Sequence, residues 1–500
     1  MPQSDIASCS ALIQRLSQSM RRGLASRILP IRRMRSVLSK RLIESVAVIG
    51  LFGALGASGA AAQVIALPTA QAALLGRFAR GPINLPLAVN PSQFQTWFGS
   101  ANPAAWPAEV QAREFFANGG TSLYIVRVLE SGALADALIG KAADASGLTA
   151  LEPLSDLRVL IAPELSLLTS SSFTTAFAAF RAFVEARRIF FILDPPPGLT
   201  TSAAMVNWVS SAVPDAAPFC AVYYPYLQVQ LDGVSLTTTA SGAMAAIYQK
   251  NDDSVGPWNS PAGTGFPLQA TGLTPGLTTS DYDALNTQNI NAIRQFPGSG
   301  IVPFGARTLD RLNEANRYVA VTRMEDWVAA SIERSLSFAA IADDAAPLWT
   351  QITNMVANFL NTLWMQGAFQ GTTPNQAYFV RCDSTTTTAA DVAAHRVNLL
   401  YGMALLQASE FEITQLSAST YDSGRATPIP ILRPLSFDGT LFLPYPTVAG
   451  FNYTLQSRSG LATGSWTNAA TVNGDGAWRT PMVPMTANAG FFRLQVMSAR

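Results

Sequence analysis

Between residues 157 and 260 the sequence alternates short apolar runs with longer amphipathic stretches. The apolar runs predict strands over 159–162, 188–193 and 219–224, and the stretches between them predict helices over 172–186 and 201–213. Strands joined by helices of this length are typical of βαβ units, because the return to a parallel partner needs a long crossover. The sequence therefore predicts an α/β layer with a parallel or mixed sheet.

The same criteria extend on both sides of this layer. We expect helices over 107–118, 321–340 and 345–367, and strands over 123–128, 377–382 and 411–416. The last of these alternates with period two, which indicates a strand with one buried face. Residues 242–300 are rich in Gly, Pro and Thr, so turns are expected there.

Residues 289–308, NINAIRQFPGSGIVPFGART, are the most distinctive single stretch. They predict an apolar strand or short helix, a Pro-Gly turn and a second apolar strand. No nucleophile lies beside a base here, so the stretch is interpreted as architectural. The positions assigned to this structural motif are Asn289, Arg294, Pro297, Gly298, Gly300, Gly305 and Arg307.

Charge is unevenly distributed along the chain. Residues 1–44 hold nine basic side chains against two acidic ones, so 24 basic and 30 acidic residues remain for the rest. Residues 45–63 form an apolar, glycine-interrupted run that imitates a secretory signal but begins far from Met1. An arm, a signal-like segment and a wrongly assigned start all remain open for residues 1–62.

The pattern of chemically reactive residues argues against an enzyme. His395 is the one histidine of the chain and lies outside the α/β layer, which excludes a Ser-His-Asp triad there. Cys9, Cys220 and Cys382 lack metal-ligand spacing, and no phosphate-binding glycine motif occurs. We therefore predict no catalytic residue, no cofactor and no metal.

A proline-rich linker, 427–430, precedes a different pattern. Short strands are predicted over 440–443, 451–456, 466–472 and 491–496, with Gly, Asn and Asp at the turns between them. Such spacing is typical of a small all-β sandwich.

Seven blocks then carry a resemblance that no single block would support. In chain order they are 115–128, 190–196, 221–226, 289–308, 364–368, 377–383 and 409–411, within residues 65–416. Together they resemble the contractile tail sheath family of phage tails and phage-like injection systems. The resemblance implies an α/β (α+β multidomain) fold, with a sheath-type core of mixed sheets and long inter-subunit arms.

On this basis the chain divides into five parts. They are a basic extension and arm (1–62), the first part of the sheath core (63–130), a central α/β domain (131–305), a C-terminal core domain ending in a strand arm (306–420) and an appended β-sandwich (431–500). The residues expected to pair with neighbouring subunits are Val46, Val48, Ile49, Phe411, Ile413 and Leu416.

The resemblance also implies a function. A sheath subunit forms hexameric rings in a helical sheath around an inner tube protein, contacts baseplate and terminator proteins, and contracts to drive the tube through a target envelope. It assembles in the bacterial cytoplasm and travels in a virion tail or a released particle, without nucleic acid and without stable membrane insertion. Phage, injection device and secretion system remain open, and an exported adhesion protein with a C-terminal β-domain is the alternative.

Overall fold

The computed structural model describes residues 63–129, 132–214, 217–336, 346–420, 434–448, 451–458, 465–485 and 491–498. The predicted arm residues Val46, Val48 and Ile49 lie outside these ranges, as does Cys9.

The described strands up to residue 420 fall into three sheets. In chain order they are β1 (Ala72–Gly76), β2 (Leu87–Val89), β3 (Leu123–Arg127), β4 (Val159–Ile161), β5 (Phe190–Leu193), β6 (Cys220–Tyr224), β7 (Tyr226–Leu231), β8 (Val234–Thr238), β9 (Gly272–Thr274), β10 (Asn291–Phe296), β11 (Gly300–Pro303), β12 (Tyr378–Arg381), β13 (Arg396–Met403) and β14 (Glu412–Ser419).

The described α-helices are interleaved with these strands. They are α1 (Pro91–Trp97), α2 (Pro107–Ala117), α3 (Leu134–Ile139), α4 (Ser170–Arg187), α5 (Ser202–Ala212), α6 (Ser241–Ser254), α7 (Thr279–Thr287), α8 (Val319–Ser335), α9 (Ala346–Met365), α10 (Pro374–Ala377) and α11 (Ala389–Ala393).

The largest sheet has the strand order β11-β10-β6-β5-β4-β1-β3-β2. Its six inner strands are parallel, whereas β2 and β11 at the two edges run antiparallel to their neighbours. The prediction of a mixed α/β layer is confirmed. Strands β7, β8 and β9 form a second, antiparallel sheet.

Helices cover both faces of the large sheet. Along β1, Ala72 and Leu74 point into one apolar cluster with α2 and α6, while Ala73 and Leu75 point into another with α4 and α5. This alternation follows from the two-residue period of a strand, and it explains why the strands read as continuous apolar runs.

A third cluster lies in a smaller part of the molecule that we call the α8–α9 module, consisting of α8, α9 and the antiparallel sheet β12-β13-β14. Met324 and Val328 of α8 pack with Ile352 and Val356 of α9, and the inward side chains of β13 complete the cluster. The predicted strand over 411–416 corresponds to the first part of β14.

The C-terminal part contains only antiparallel strands among its described residues. They are β15 (Leu435–Phe437), β16 (Thr440–Phe442), β17 (Tyr445–Pro446), β18 (Phe451–Arg458), β19 (Thr467–Asn473), β20 (Trp478–Arg479), β21 (Met482–Pro484) and β22 (Phe491–Ser498), in the sheets β15-β16-β21, β17-β20 and β19-β18-β22.

The five predicted divisions of the chain stay predictions. The large sheet crosses the predicted boundary at residue 130, because β1–β3 lie before it and the other strands of the sheet lie after it. Helix α6 also stands at the start of the stretch that was expected to contain turns.

Candidate assembly surfaces

The distinctive stretch forms the β10–β11 hairpin at one edge of the large sheet. Phe296 pairs with Gly300, so the turn consists of residues 297–299, with Pro297 as its first residue. Gly298 and Gly300 have φ angles of 79° and 75°, a conformation that favours glycine. No atom lies within 4 Å of a Cβ built at either position, so the backbone conformation and not crowding requires glycine.

Asn291, which the sequence analysis did not single out, holds the hairpin to the chain that follows it. Its Oδ1 accepts from the Arg307 amide at 2.6 Å, and its Nδ2 donates to the Arg307 carbonyl at 2.7 Å. A Cβ on Gly305 would lie 2.9 Å from the same Oδ1, so this glycine makes room for the amide. A signal was present, because Asn291 is a polar residue within a stretch that predicts an apolar strand or short helix, and asparagine is unfavourable in strands.

Two further motif residues fix the base of the hairpin. Asn289 has a φ of 55°, and its Nδ2 donates to the carbonyl of Asp310 at 2.8 Å. The Arg307 guanidinium donates to the carbonyl of Asn286 at 3.0 Å. These contacts support an architectural role for both side chains.

Arg294 organises an aromatic cluster on the hairpin. Its guanidinium carbon lies 4.5 Å from the ring centre of Tyr282 and 5.3 Å from those of Phe296 and Phe304. The side chain of Phe304 is 47% exposed. Aromatic residues and arginine are enriched at the centres of protein interfaces, so this edge of the sheet is one candidate contact surface.

Strand β14 provides a second candidate surface. It pairs with β13 of its own chain from Glu412 to Ser419, and its other edge has no partner strand among the described residues. Leu416 is buried, Ile413 is 62% exposed, and the ring of Phe411 contacts that of Phe379 edge-to-face at 5.3 Å. An unpaired strand edge is a site where another chain can add a strand.

Like charges meet where β14 packs on α8. Burial, followed by the nearby carboxylates of Glu412 on β14 and Asp326 on α8, raises the pKa of Glu325 to about 8. The positive charge of Arg188 opposes this shift. An ionised Glu325 thus has the like charge of Glu412 on the other side of this contact.

Solved structures of contractile sheaths contain chains that are similar to this one. The chain matches the anti-feeding prophage helical sheath in its contracted state with a TM-score of 0.58 and 25% identity, over 73% of this chain and 98% of that one. It matches the contracted sheath complex of PVC, an extracellular contractile injection system, with a TM-score of 0.56 and 26% identity, over 72% and 95% of the two chains. This chain is a homologue of contractile sheath subunits.

A chain from the anti-feeding prophage baseplate structure matches with a TM-score of 0.56 and 25% identity, over 72% of this chain and 96% of that one. No protein-family model and no curated protein sequence matches. The expected family and the sheath-like fold are confirmed, and contractile sheath subunits are structural proteins, not enzymes.

More than a quarter of this sheath homologue has no counterpart in those relatives, whose own chains are matched almost completely.

The C-terminal part packs against the core. Phe442 is fully buried with its ring centre 5.1 Å from that of Trp97, and Asp438 forms an exposed ion pair with Arg80 at 3.1 Å. The Ser155 hydroxyl also donates to the carbonyl of Gly476.

Two buried carboxyl groups in the core have raised pKa values. Burial raises the pKa of Glu164 to about 7 and that of Asp194 to about 6. Asp194 accepts a hydrogen bond from the Ser241 hydroxyl at 2.5 Å, but the chain's one histidine, His395, lies far along the sequence on an exposed turn.

Across the described ranges, no group of three or more His, Cys, Asp or Glu side chains is arranged to hold a metal ion. Within the same ranges, none of the helices combines the length and the apolar character needed to cross a bilayer.

Proposed function

We propose that the chain is the structural subunit of a contractile sheath, which polymerises as stacked hexameric rings around an inner tube and contracts to drive the tube through a target envelope. The observation that carries this proposal is the match to nearly the full length of the anti-feeding prophage sheath chain. That protein is described in a contracted helical sheath, and the proposal extends the same assembly to this chain.

The proposed joints between subunits are two strand-forming arms. One is β14 with Phe411, Ile413 and Leu416, and the other lies within residues 45–62 and includes Val46, Val48 and Ile49. A lattice of stacked rings needs head-to-tail contacts that use different surfaces on each subunit. Strand addition suits this role because main-chain hydrogen bonds hold two chains together while other surfaces re-pack.

Contraction needs no nucleotide site in this chain. The extended lattice would store free energy as the difference between two subunit packings, and firing would release it. The large sheet, closed on both faces by helices, supplies a rigid body that can rotate as a unit. The arms keep neighbouring bodies connected during that rotation.

The remaining partners follow from the same assembly. They are an inner tube protein, a baseplate and a terminator, with assembly in the bacterial cytoplasm and release on a virion tail or an extracellular particle. We assign the C-terminal β-strands to a small sandwich on the outside of the sheath, where an added domain does not collide with the tube.

Deleting residues 411–416 tests the role of β14. We expect a folded core, because the large sheet does not use these residues, and we expect no polymer by electron microscopy. Ile413→Asp is a milder form of the test, and Val234→Asp on β8 is its matched control, since Val234 is 55% exposed on another edge strand. Sheaths of normal length from the deletion would refute the proposed role of β14.

A further inference from the structure

Residues 64–69, which precede β1, form a segment that lies along α8 and runs antiparallel to it. Leu67, at its centre, is 4% exposed and is held through both of its main-chain groups. Its N–H donates to Ser331 Oγ at 3.1 Å, and its carbonyl accepts from Trp327 Nε1 at 2.7 Å. Side chains of α8 thus replace the partner strand that an extended chain would otherwise need.

The same kind of contact recurs two residues away on each side. The N–H of Ile65 donates to Ser335 Oγ at 2.9 Å. The carbonyl of Thr69 accepts from Nη2 of Arg323 at 3.1 Å. All four contacts use main-chain atoms of the segment, so they hold it regardless of its side chains.

The spacing explains how a helix can hold an extended chain. Ser335 and Ser331 are four residues apart, which is about 6 Å along an α-helix. They hold Ile65 and Leu67, and two residues of an extended chain advance by about 6.6 Å, so these two contacts are in register. Trp327 and Arg323 reach the carbonyls of Leu67 and Thr69 with longer side chains.

The α8 end of this ladder is itself fixed in the core. Arg323 is buried and forms a two-pronged ion pair with Asp252, with Nη2 2.6 Å from Oδ2 and Nη1 3.1 Å from Oδ1. Its guanidinium carbon also lies 4.6 Å from the ring centre of Tyr248. Buried, charge-assisted, bidentate pairs of this kind are rigid.

The position of the ladder links it to β14. Leu67 packs in the same apolar cluster as Leu399 of β13 and Leu416 of β14. The segment that follows the N-terminal arm and the strand proposed as the C-terminal arm are therefore fixed to one module. Arg323 also joins that module to α6, which covers one face of the large sheet.

We propose that residues 64–69 are the fixed root of the N-terminal arm, and that α8 transmits tension from that arm to β14. The inference rests on the proposed sheath function and deepens it. During contraction, the bodies of the subunits rotate while the pull of one neighbour on the arm passes through α8 to the strand bound by another.

Hydrogen exchange on the full-length chain tests the root independently of any sheath. We expect slow exchange at the amides of Ile65 and Leu67. In a Ser331→Ala/Ser335→Ala variant, exchange at both should rise about tenfold, as expected for the loss of one hydrogen bond per amide. The amides of β1 should not change, and Ser211→Ala, on the exposed face of α5, is the matched control. Unprotected amides in the unaltered chain would overturn the inference.

Imaging of sheaths before and after triggered contraction tests the transmission of tension. We expect the double variant to form extended sheaths that break into short pieces on contraction, whereas Ser211→Ala sheaths keep their length. Contracted double-variant sheaths of full length would overturn the inference and leave the proposed function intact. If the unaltered chain forms no sheath, the proposed function fails, and the exchange result alone decides whether the root exists.

Discussion

The large sheet and the β12-β13-β14 sheet solve the problem of burying apolar surface in different ways. The large sheet is covered by helices on both faces, and its inner strands are parallel and mostly buried. Strand β14 instead alternates between partly buried and exposed side chains and leaves one edge without a described partner. The first buries both of its faces within one subunit, whereas the second has an edge strand that we propose pairs with another chain.

A contractile lattice needs both kinds of structure. A subunit that rotates without deforming requires a body whose contacts are internal, and a connection that survives rotation requires a strand that can pair outside its own chain.

Phe180→Ala should remove the most stability. The side chain is fully buried on α4, with its ring centre 5.6 Å from that of Phe191 in the large sheet. Truncation leaves a cavity and should lower the free energy of unfolding by about 3–5 kcal/mol, measured by urea denaturation. Val234→Ala, at an exposed position, should change it by less than about 0.5 kcal/mol. A small effect at Phe180 would mean that the body is less closely packed than described.

Asn291→Ala should have the next largest effect. Its side chain is 1% exposed, and its removal leaves the amide and carbonyl of Arg307 without their partner. We expect a loss of roughly 2–3 kcal/mol in urea denaturation, since each buried unpaired group costs about 1–3 kcal/mol. The exposed Asn286 is the control position. Equal effects of Asn286→Ala and Asn291→Ala would contradict the role given to Asn291.

Glu325→Gln should change the pH dependence of stability. The pKa of this carboxyl is raised to about 8 in the folded chain, so the unfolded state ionises first as the pH rises. The folded state therefore loses stability from about pH 4.5 to pH 8. The substitution should remove that loss, which is at most roughly 4 kcal/mol at pH 8 and smaller because the side chain is only partly buried. Urea denaturation at pH 5 and pH 8 measures the change, and an unchanged slope with pH would show that the pKa of Glu325 is not raised by its surroundings.

Ile413→Ala should have almost no effect on the isolated subunit. Because the side chain is mostly exposed, we expect the free energy of unfolding to change by less than about 0.5 kcal/mol. A loss comparable to that of Phe180→Ala would mean that the outward side of β14 is already packed in the free subunit. The contrast between the two sheets would then not hold.

The fold was predictable wherever burial follows a simple period. The strands of the large sheet appear as apolar runs, and α8 and α9 appear as amphipathic stretches, with only their ends displaced by a few residues. The Asp232-Gly233 turn between β7 and β8 also carried a hairpin signal, because φ is positive at both residues and Asp-Gly favours such turns.

Helix α6 was not predictable in the same way. It is buried around most of its circumference and begins with small residues, so it shows no polar face. A Cβ on Gly242 would lie 2.0 Å from the carbonyl oxygen of Gln111, which shows how closely α6 approaches α2. A glycine needed for such an approach looks like a turn residue in the sequence.

The candidate surfaces were predictable only in part. The period of β14 is visible in the sequence, but its proposed partner is another copy of the chain, and no local pattern specifies that copy. The ladder on α8 depends on residues more than 250 positions apart, such as Leu67 and Trp327. Its four side chains do share a four-residue spacing, which becomes meaningful once the extended segment beside them is known.

Negative-stain electron microscopy of the purified full-length chain, alone and with the inner tube protein of its assembly, tests the central claim most directly. We expect hollow, striated cylinders, because a homologue of contractile sheath subunits with an open strand edge should polymerise into stacked rings. Single subunits that persist under both conditions would contradict the account.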